Sequence, residues 1–443
     1  MGADTEEFDL PLSRAANERL HALIPGGAHT YAKGDDQYPE HLAPVISHGR
    51  GAHVWDIDGN RYLEYGSGLR SVSLGHAHPR VTEAVRRELD RGSNFARPSI
   101  VEVDAAERFL ATVPTAEMVK FAKNGSDVTT AAVRLARAVT GRPRVALCGD
   151  HPFFSTDDWF IGTTPMSAGI PAATTELTVA FPYGDLAATE ELLTRYQDEV
   201  ACLILEPAGH AEPPPGYLEG LRALADRHGC VLIFDEMITG FRWSEAGAQG
   251  LYGVVPDLST FGKALGNGFA VSALAGRREL MERGGLRDPR ERVFLLSTTH
   301  GAETHSLAAA MAVQTTYAEE GITDRLHVLG ERLAAGVRDV AASMGVGEHV
   351  VVRGRPSNLV FATLDEHGRP SQEYRTLFLR RLLAGGVLAP SFVVSSALTA
   401  ADVDRTVDVV GQACAVYRKA LDAGDPGPWQ GGRPVKPVFR RLA

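Results

Sequence analysis

Two uninterrupted apolar runs, Ala201-Cys202-Leu203-Ile204-Leu205 and Val231-Leu232-Ile233-Phe234, enclose one helical segment at 218–228. A strand that is apolar at every position is buried on both faces. Two such strands joined through a helix lie parallel. Alternation of helix and strand extends from about residue 78 to 330, with further helices expected over 81–89 and 128–139. The fold class this predicts is α/β, with a mostly parallel central sheet covered by helices. In open sheets of this type, ligands sit beyond the carboxyl ends of the strands. Glu206 and Asp235 each stand at such an end, so a site is expected there.

A chain of 443 residues is long enough for two domains. Residues 78–330 form the expected large domain and 331–443 a smaller α+β one. The latter has a helix at 328–342, short strands at 350–352 and 359–361, a final helix at 401–421 and an extended tail. Residues 1–77 read as part of the smaller domain. They comprise a short helix at 15–23, broken by Pro25-Gly26-Gly27, then irregular chain to about residue 50, then a hairpin at 53–65 turning at Asp58-Gly59.

A formal charge of −10 argues against a nucleic-acid partner, which would call for a basic face. No apolar stretch approaches the roughly 18 residues of a membrane span, and the acidic start Met1 to Glu7 precedes no apolar leader. Cys148, Cys202, Cys230 and Cys414 are scattered, with no nearby histidine cluster. They read as buried thiols in a reducing compartment, the cytoplasm, and no metal site is expected.

Of the 45 basic residues only six are lysines, and Lys263 is one of them. Gly262 before it and Gly266 and Gly268 after it would let a bulky ligand approach the backbone. Alone, it reads as a surface lysine in a glycine-rich loop. Asp235, 28 positions earlier, reads alone as a cap or loop charge. Together at adjacent strand ends they fit the two ends of one pyridoxal ring. The amine condenses with the aldehyde, and the carboxylate keeps the ring nitrogen protonated. Asn124-Gly125-Ser126-Asp127 precedes a helix and offers free N–H groups to a phosphate, although the same letters make an ordinary cap. Ser297-Thr298-Thr299-His300-Gly301 is a polar loop with similar donors. Met237 reads as core or as packing on the ring, and Glu236 as a cap or a solvated charge. Arg70, in a glycine-rich loop, reads as a substrate contact or a surface arginine.

At these motifs the chain resembles the class III aminotransferases, fold type I pyridoxal phosphate enzymes. It is most similar to glutamate-1-semialdehyde 2,1-aminomutase and the related aminotransferases of sugar and aminoglycoside pathways. The likeness runs from about Leu20 to Val410. It includes Ile24-Pro25-Gly26-Gly27, Val54 to Tyr62, Leu74-Gly75-His76-Ala77-His78-Pro79, Leu205-Glu206-Pro207, Asp235 to Arg242 and Gly262-Lys263. It implies that Lys263 carries the cofactor as an aldimine, that Asp235 pairs with the pyridinium nitrogen, and that Gly125 and Ser126 hold the phosphate. It also places Glu206 on the substrate side and gives the ring-stacking place to His151, with Phe153 as an alternative. Thr299 would reach the phosphate of a partner subunit, which implies a homodimer. The chain departs from the family pattern at Asn124-Gly125-Ser126-Asp127-Val128. The segment Leu388 to Val394 resembles the aminomutase but lacks the acidic residue expected after it. Ser155 to Thr164 and His29 to Gln37 look like the sugar and aminoglycoside branch.

The expected activity is ping-pong transfer of an amino group from a small amine donor to an oxo-sugar, aminocyclitol or aminoglycoside-type acceptor. An aminomutase or an epimerase would use the same cofactor. A nicotinamide-dependent dehydrogenase fits the alternation but lacks a strand followed by Gly-x-Gly-x-x-Gly.

Overall fold

A computed structural model describes residues 8–442, so the acidic stretch Met1 to Glu7 lies outside the described residues. The chain divides into two units. The larger comprises Arg70–Val72 and Pro79–Thr323; the smaller comprises the chain up to Leu69, Ser73–His78 and Asp324–Arg440.

The larger unit is built on seven strands: β1 (Met118–Ala122), β2 (Arg144–Cys148), β3 (Thr178–Phe181), β4 (Val200–Leu205), β5 (Val231–Asp235), β6 (Leu258–Phe261) and β7 (Ser272–Gly276). Their order across the sheet is β1-β7-β6-β5-β4-β2-β3. Only β7 runs against its neighbours, β1 and β6; the other six strands share one direction. The continuous apolar runs follow from burial on both faces. Cys202, Ile204 and Ile233 join the core that includes Val128, Ala132 and Leu135 of the helix Gly125–Thr140. Leu203, Leu205, Leu232 and Phe234 join the opposite core with Leu218, Leu221 and Leu224 of the helix Tyr217–His228. Each fully buried side chain of this size contributes roughly 1.5–3 kcal/mol, so the alternate residues of one strand hold two layers at once.

In the smaller unit, Ile46–Arg50, His53–Asp56 and Arg61–Glu64 form an antiparallel ribbon joined in parallel by Val387–Leu388. Asp56 fixes the hairpin turn by accepting from the Asn60 N–H (2.7 Å). Val350–Arg353 and Val360–Thr363 pair antiparallel, and the helix Ala400–Ala423 follows. Three details differ from the sequence reading. Ile46–Arg50 is a strand rather than irregular chain, Pro11–Leu23 starts its helix four residues early, and Gly427–Gln430 is a helical turn in the tail. All four cysteines are free and buried. No helix among the described residues is long and apolar enough to cross a membrane.

Candidate active site

Because six strands share one direction, β1, β2, β4, β5 and β6 end on the same edge of the sheet. They release there, in turn, Asn124 to Ser126, His151, Glu206, Asp235 and Lys263. Asp235 is the last residue of β5 and is paired with Thr260 of β6, three residues before Lys263.

Asp235 is only 2% exposed. Its Oδ1 accepts from the Met237 N–H (3.0 Å) and the Thr260 hydroxyl (3.2 Å). Both donors fall on Oδ1; Oδ2 accepts no hydrogen bond among the described residues. Burial pushes this carboxyl up to about 6, against the Lys263 charge and those two donors. Lys263 has φ +44°, in the left-handed region, which costs a non-glycine residue roughly 1–2 kcal/mol. Strain of this kind concentrates where a side chain must be presented in one direction. Burial also lowers the pKa of its amine, helped by Arg70 and Arg242 and opposed by Asp235 and Glu206. The neutral, nucleophilic amine is thereby favoured.

Glu206 is buried, and its carboxyl is pushed up to about 7, first by burial and then by Asp235, while Lys263 and Arg70 act the other way. Its backbone N–H donates to His151 Nδ1 (3.0 Å). That bond makes Nδ1 the acceptor, so the neutral ring carries its proton on Nε2. Burial holds the imidazole down to about 4, consistent with that neutral form. The ring packs against Tyr183 and Phe154, with centroids 5.3 and 5.9 Å away. Phe153 is 39% exposed and packs instead on Phe160.

Arg70 is brought to this cluster. Its pKa is lowered by burial and raised by Glu206, and its backbone has φ +70°. The Arg70 carbonyl accepts from Arg242 Nη2 (2.8 Å), and Arg242 is itself buried and held down to about 10 by that burial. The sequence reading gave Arg242 no role. An arginine directly after Phe241, in a segment otherwise destined for the core, was the available signal. Glu236 proves to be a cap: it accepts from the N–H groups of Ala248 (2.7 Å) and Gln249 (2.8 Å), and from the Thr239 hydroxyl.

At the end of β1, Gly125 and Ser126 open the helix Gly125–Thr140, whose first-turn N–H groups have no partner within the helix. Ser126 Oγ accepts from the Thr156 N–H (3.0 Å), which ties the turn to the chain after His151. Met237 is buried, with its sulfur between the two glycines. A Cβ on Gly262 would lie 2.6 Å from Met237 Sδ, and one on Gly125 3.2 Å away. Thr299 is bound elsewhere. It is exposed on the loop before the helix Thr304–Glu320, and its carbonyl accepts from Asn94 Nδ2 (3.1 Å).

The family model described as aminotransferase class-III matches residues 34–393. The chain belongs to the class III aminotransferases. A glutamate-1-semialdehyde 2,1-aminomutase of Methanothrix thermoacetophila is 33% identical over 436 residues, covering 95% of this chain and 99% of that one. An omega-transaminase from Sphaerobacter thermophilus superposes with a TM-score of 0.81 at 27% identity, covering 95% and 98% of the two chains. The FumI protein of Sphingopyxis sp. MTA144, in its PLP internal aldimine form, gives a TM-score of 0.85 at 24% identity, covering 94% and 99%. This class III aminotransferase is therefore a fold type I enzyme whose cofactor is pyridoxal 5'-phosphate. The residues present fit that group. A buried carboxylate keeps one oxygen without a donor, a lysine amine is biased to its neutral form, and two glycines leave no room for a side chain beside Met237.

Proposed function

We propose that the enzyme transfers an amino group from a small amine donor to an oxo-sugar, aminocyclitol or aminoglycoside-type acceptor. The observation that carries the site assignment is the placement of Asp235 and Lys263 at adjacent parallel strand ends, each within the other's field. When bound, the cofactor supplies an electron sink for the carbon that loses its proton. Lys263 would anchor it, and its freed amine would carry the proton that leaves the substrate carbon. Asp235, through Oδ2, would hold the ring nitrogen protonated. Gly125 and Ser126 would bind the phosphate, and His151 and Met237 would pack on the ring. Glu206 lies on the substrate side, and Arg70 meets the substrate.

The sugar-type acceptor rests on the likeness of Ser155 to Thr164 and of His29 to Gln37 to that branch. Movement of an amino group within one substrate is the second reading, favoured by the full-length similarity to an aminomutase. The lack of the acidic residue expected after Leu388 to Val394 favours transfer between molecules instead. Purified enzyme in deuterated water distinguishes them. Transfer yields a keto product from the donor in the absence of any acceptor, in an amount equal to the enzyme. An isomerised amine with no keto product would replace transfer by migration, and solvent deuterium at an unchanged amine carbon would replace it by epimerisation.

The exposed position of Thr299 suits a residue completed by a second copy of the chain. On this reading the enzyme is a homodimer whose Thr299 hydroxyl reaches the partner's cofactor phosphate. A hydrogen bond to a charged group contributes roughly 1.5–3 kcal/mol, so Thr299→Ala should raise the cofactor dissociation constant by about 10-fold or more. Monomers in sedimentation, or unchanged cofactor affinity in that variant, would contradict it. Four buried free cysteines suit a reducing compartment, and we place the enzyme in the cytoplasm.

A further inference from the structure

The smaller unit holds a charged group that the reaction proposed above does not use. Arg375 lies on the helix Gln372–Ala384, and its guanidinium carbon sits over the Phe361 ring, 4.7 Å from the centroid. Phe361 in turn packs on Phe392 and Phe378, with centroids 4.9 and 5.2 Å away. The cation therefore rests on an apolar floor. Nη2 donates to the Pro390 carbonyl (2.6 Å), and this is the only hydrogen bond of the side chain among the described residues. Arg375 makes no ion pair among those residues.

The surroundings do not supply the missing charge. Glu64 is engaged by His76 Nε2 (3.2 Å). Tyr38 is the one titratable group that favours the charged form of Arg375, and its hydroxyl makes no hydrogen bond among the described residues. Burial holds the guanidinium down to about 10 and pushes the Tyr38 phenol up. Yet both side chains keep some exposed surface. A desolvated cation is costly unless paired, and a ring beneath it offsets only part of that cost. An arginine fork with most of its donors open matches a carboxylate or phosphate in two-point contact.

We infer that Arg375 forms an oxyanion subsite for a small acidic ligand carrying a carboxylate or a phosphate. All of its residues lie in the smaller unit, and the inference does not depend on which reaction the enzyme performs. The test is calorimetric titration of the holoenzyme, whose cofactor already occupies the phosphate loop, with succinate and with inorganic phosphate as separate probes. One probe should bind saturably and so identify the oxyanion. Its dissociation constant should rise about 10-fold or more in Arg375→Met, with partial retention in Arg375→Lys. Without ligand, Arg375→Met should melt no lower than wild type, because it removes an uncompensated charge from partly buried surroundings. Should Arg375→Met fail to fold, Arg375→Lys carries the same comparison. Failure of both probes to saturate, or equal affinity in wild type and variants, would overturn the subsite.

Discussion

Lys263→Ala is expected to lower turnover on the order of 10⁴-fold, because it removes both a nucleophile and the proton carrier between two carbon atoms. The same variant should lose the visible absorbance of a cofactor held by a lysine nitrogen. Lys263→Arg makes the test sharper. It keeps a cation beside Asp235 and Glu206, whose fields both act on Lys263. A guanidinium is always protonated and cannot serve as a nucleophile. If the role of Lys263 were only to balance those carboxylates, the arginine variant would retain most of the turnover. If the role is chemical, the two variants fail equally. Full turnover in either would end the assignment of Lys263.

The parts of this site that were legible in the sequence are those where one residue type has few structural uses. Continuous runs such as Val231 to Phe234 admit few other burials, and their ends fix where Asp235 must emerge. Strand β7 was not legible, because Ser272-Ala273-Leu274-Ala275-Gly276 is made of weak strand formers whose conformation is imposed by β1 and β6 on either side. Ile46–Arg50 escaped for a related reason: its side chains are largely exposed, so no alternation marks it. The sequence leaves His151 and Phe153 as alternatives because the two lie two residues apart in one irregular loop; in the fold His151 accepts from the Glu206 N–H and Phe153 packs on Phe160. Arg242 and Arg375 were missed because a buried arginine looks like a surface one until its surroundings are known. The first is explained by the Arg70 carbonyl; among the described residues the second meets only the Pro390 carbonyl and an aromatic ring.

Asp235→Asn should separate function from stability. In the variant an amide nitrogen replaces one carboxylate oxygen, while the Met237 N–H and the Thr260 hydroxyl can still be accepted by the other. A donor aimed at the ring nitrogen can no longer keep it protonated. Loss of one such preorganised electrostatic contact typically lowers kcat by roughly 10²–10³-fold. The apoprotein should respond in the opposite sense. Burial pushes the Asp235 carboxyl up to about 6 in the fold, against 3.8 as its ordinary value. Between those values the folded state binds more protons than the unfolded one, so stability falls as pH rises from about 4 to about 6 and stays lowered above. The loss amounts to about 3 kcal/mol, because a tenfold difference in proton affinity between the two states is worth roughly 1.4 kcal/mol. Apo Asp235→Asn should therefore melt above apo wild type at pH 7, and this advantage should vanish near pH 4. Adding cofactor should narrow the gap at pH 7, because a protonated ring nitrogen gives the wild-type carboxylate the partner it lacks. Identical melting profiles for the two apoproteins from pH 4 to 7 would mean that Asp235 is not a desolvated charge awaiting a cation, and its pairing with the cofactor would have to be abandoned.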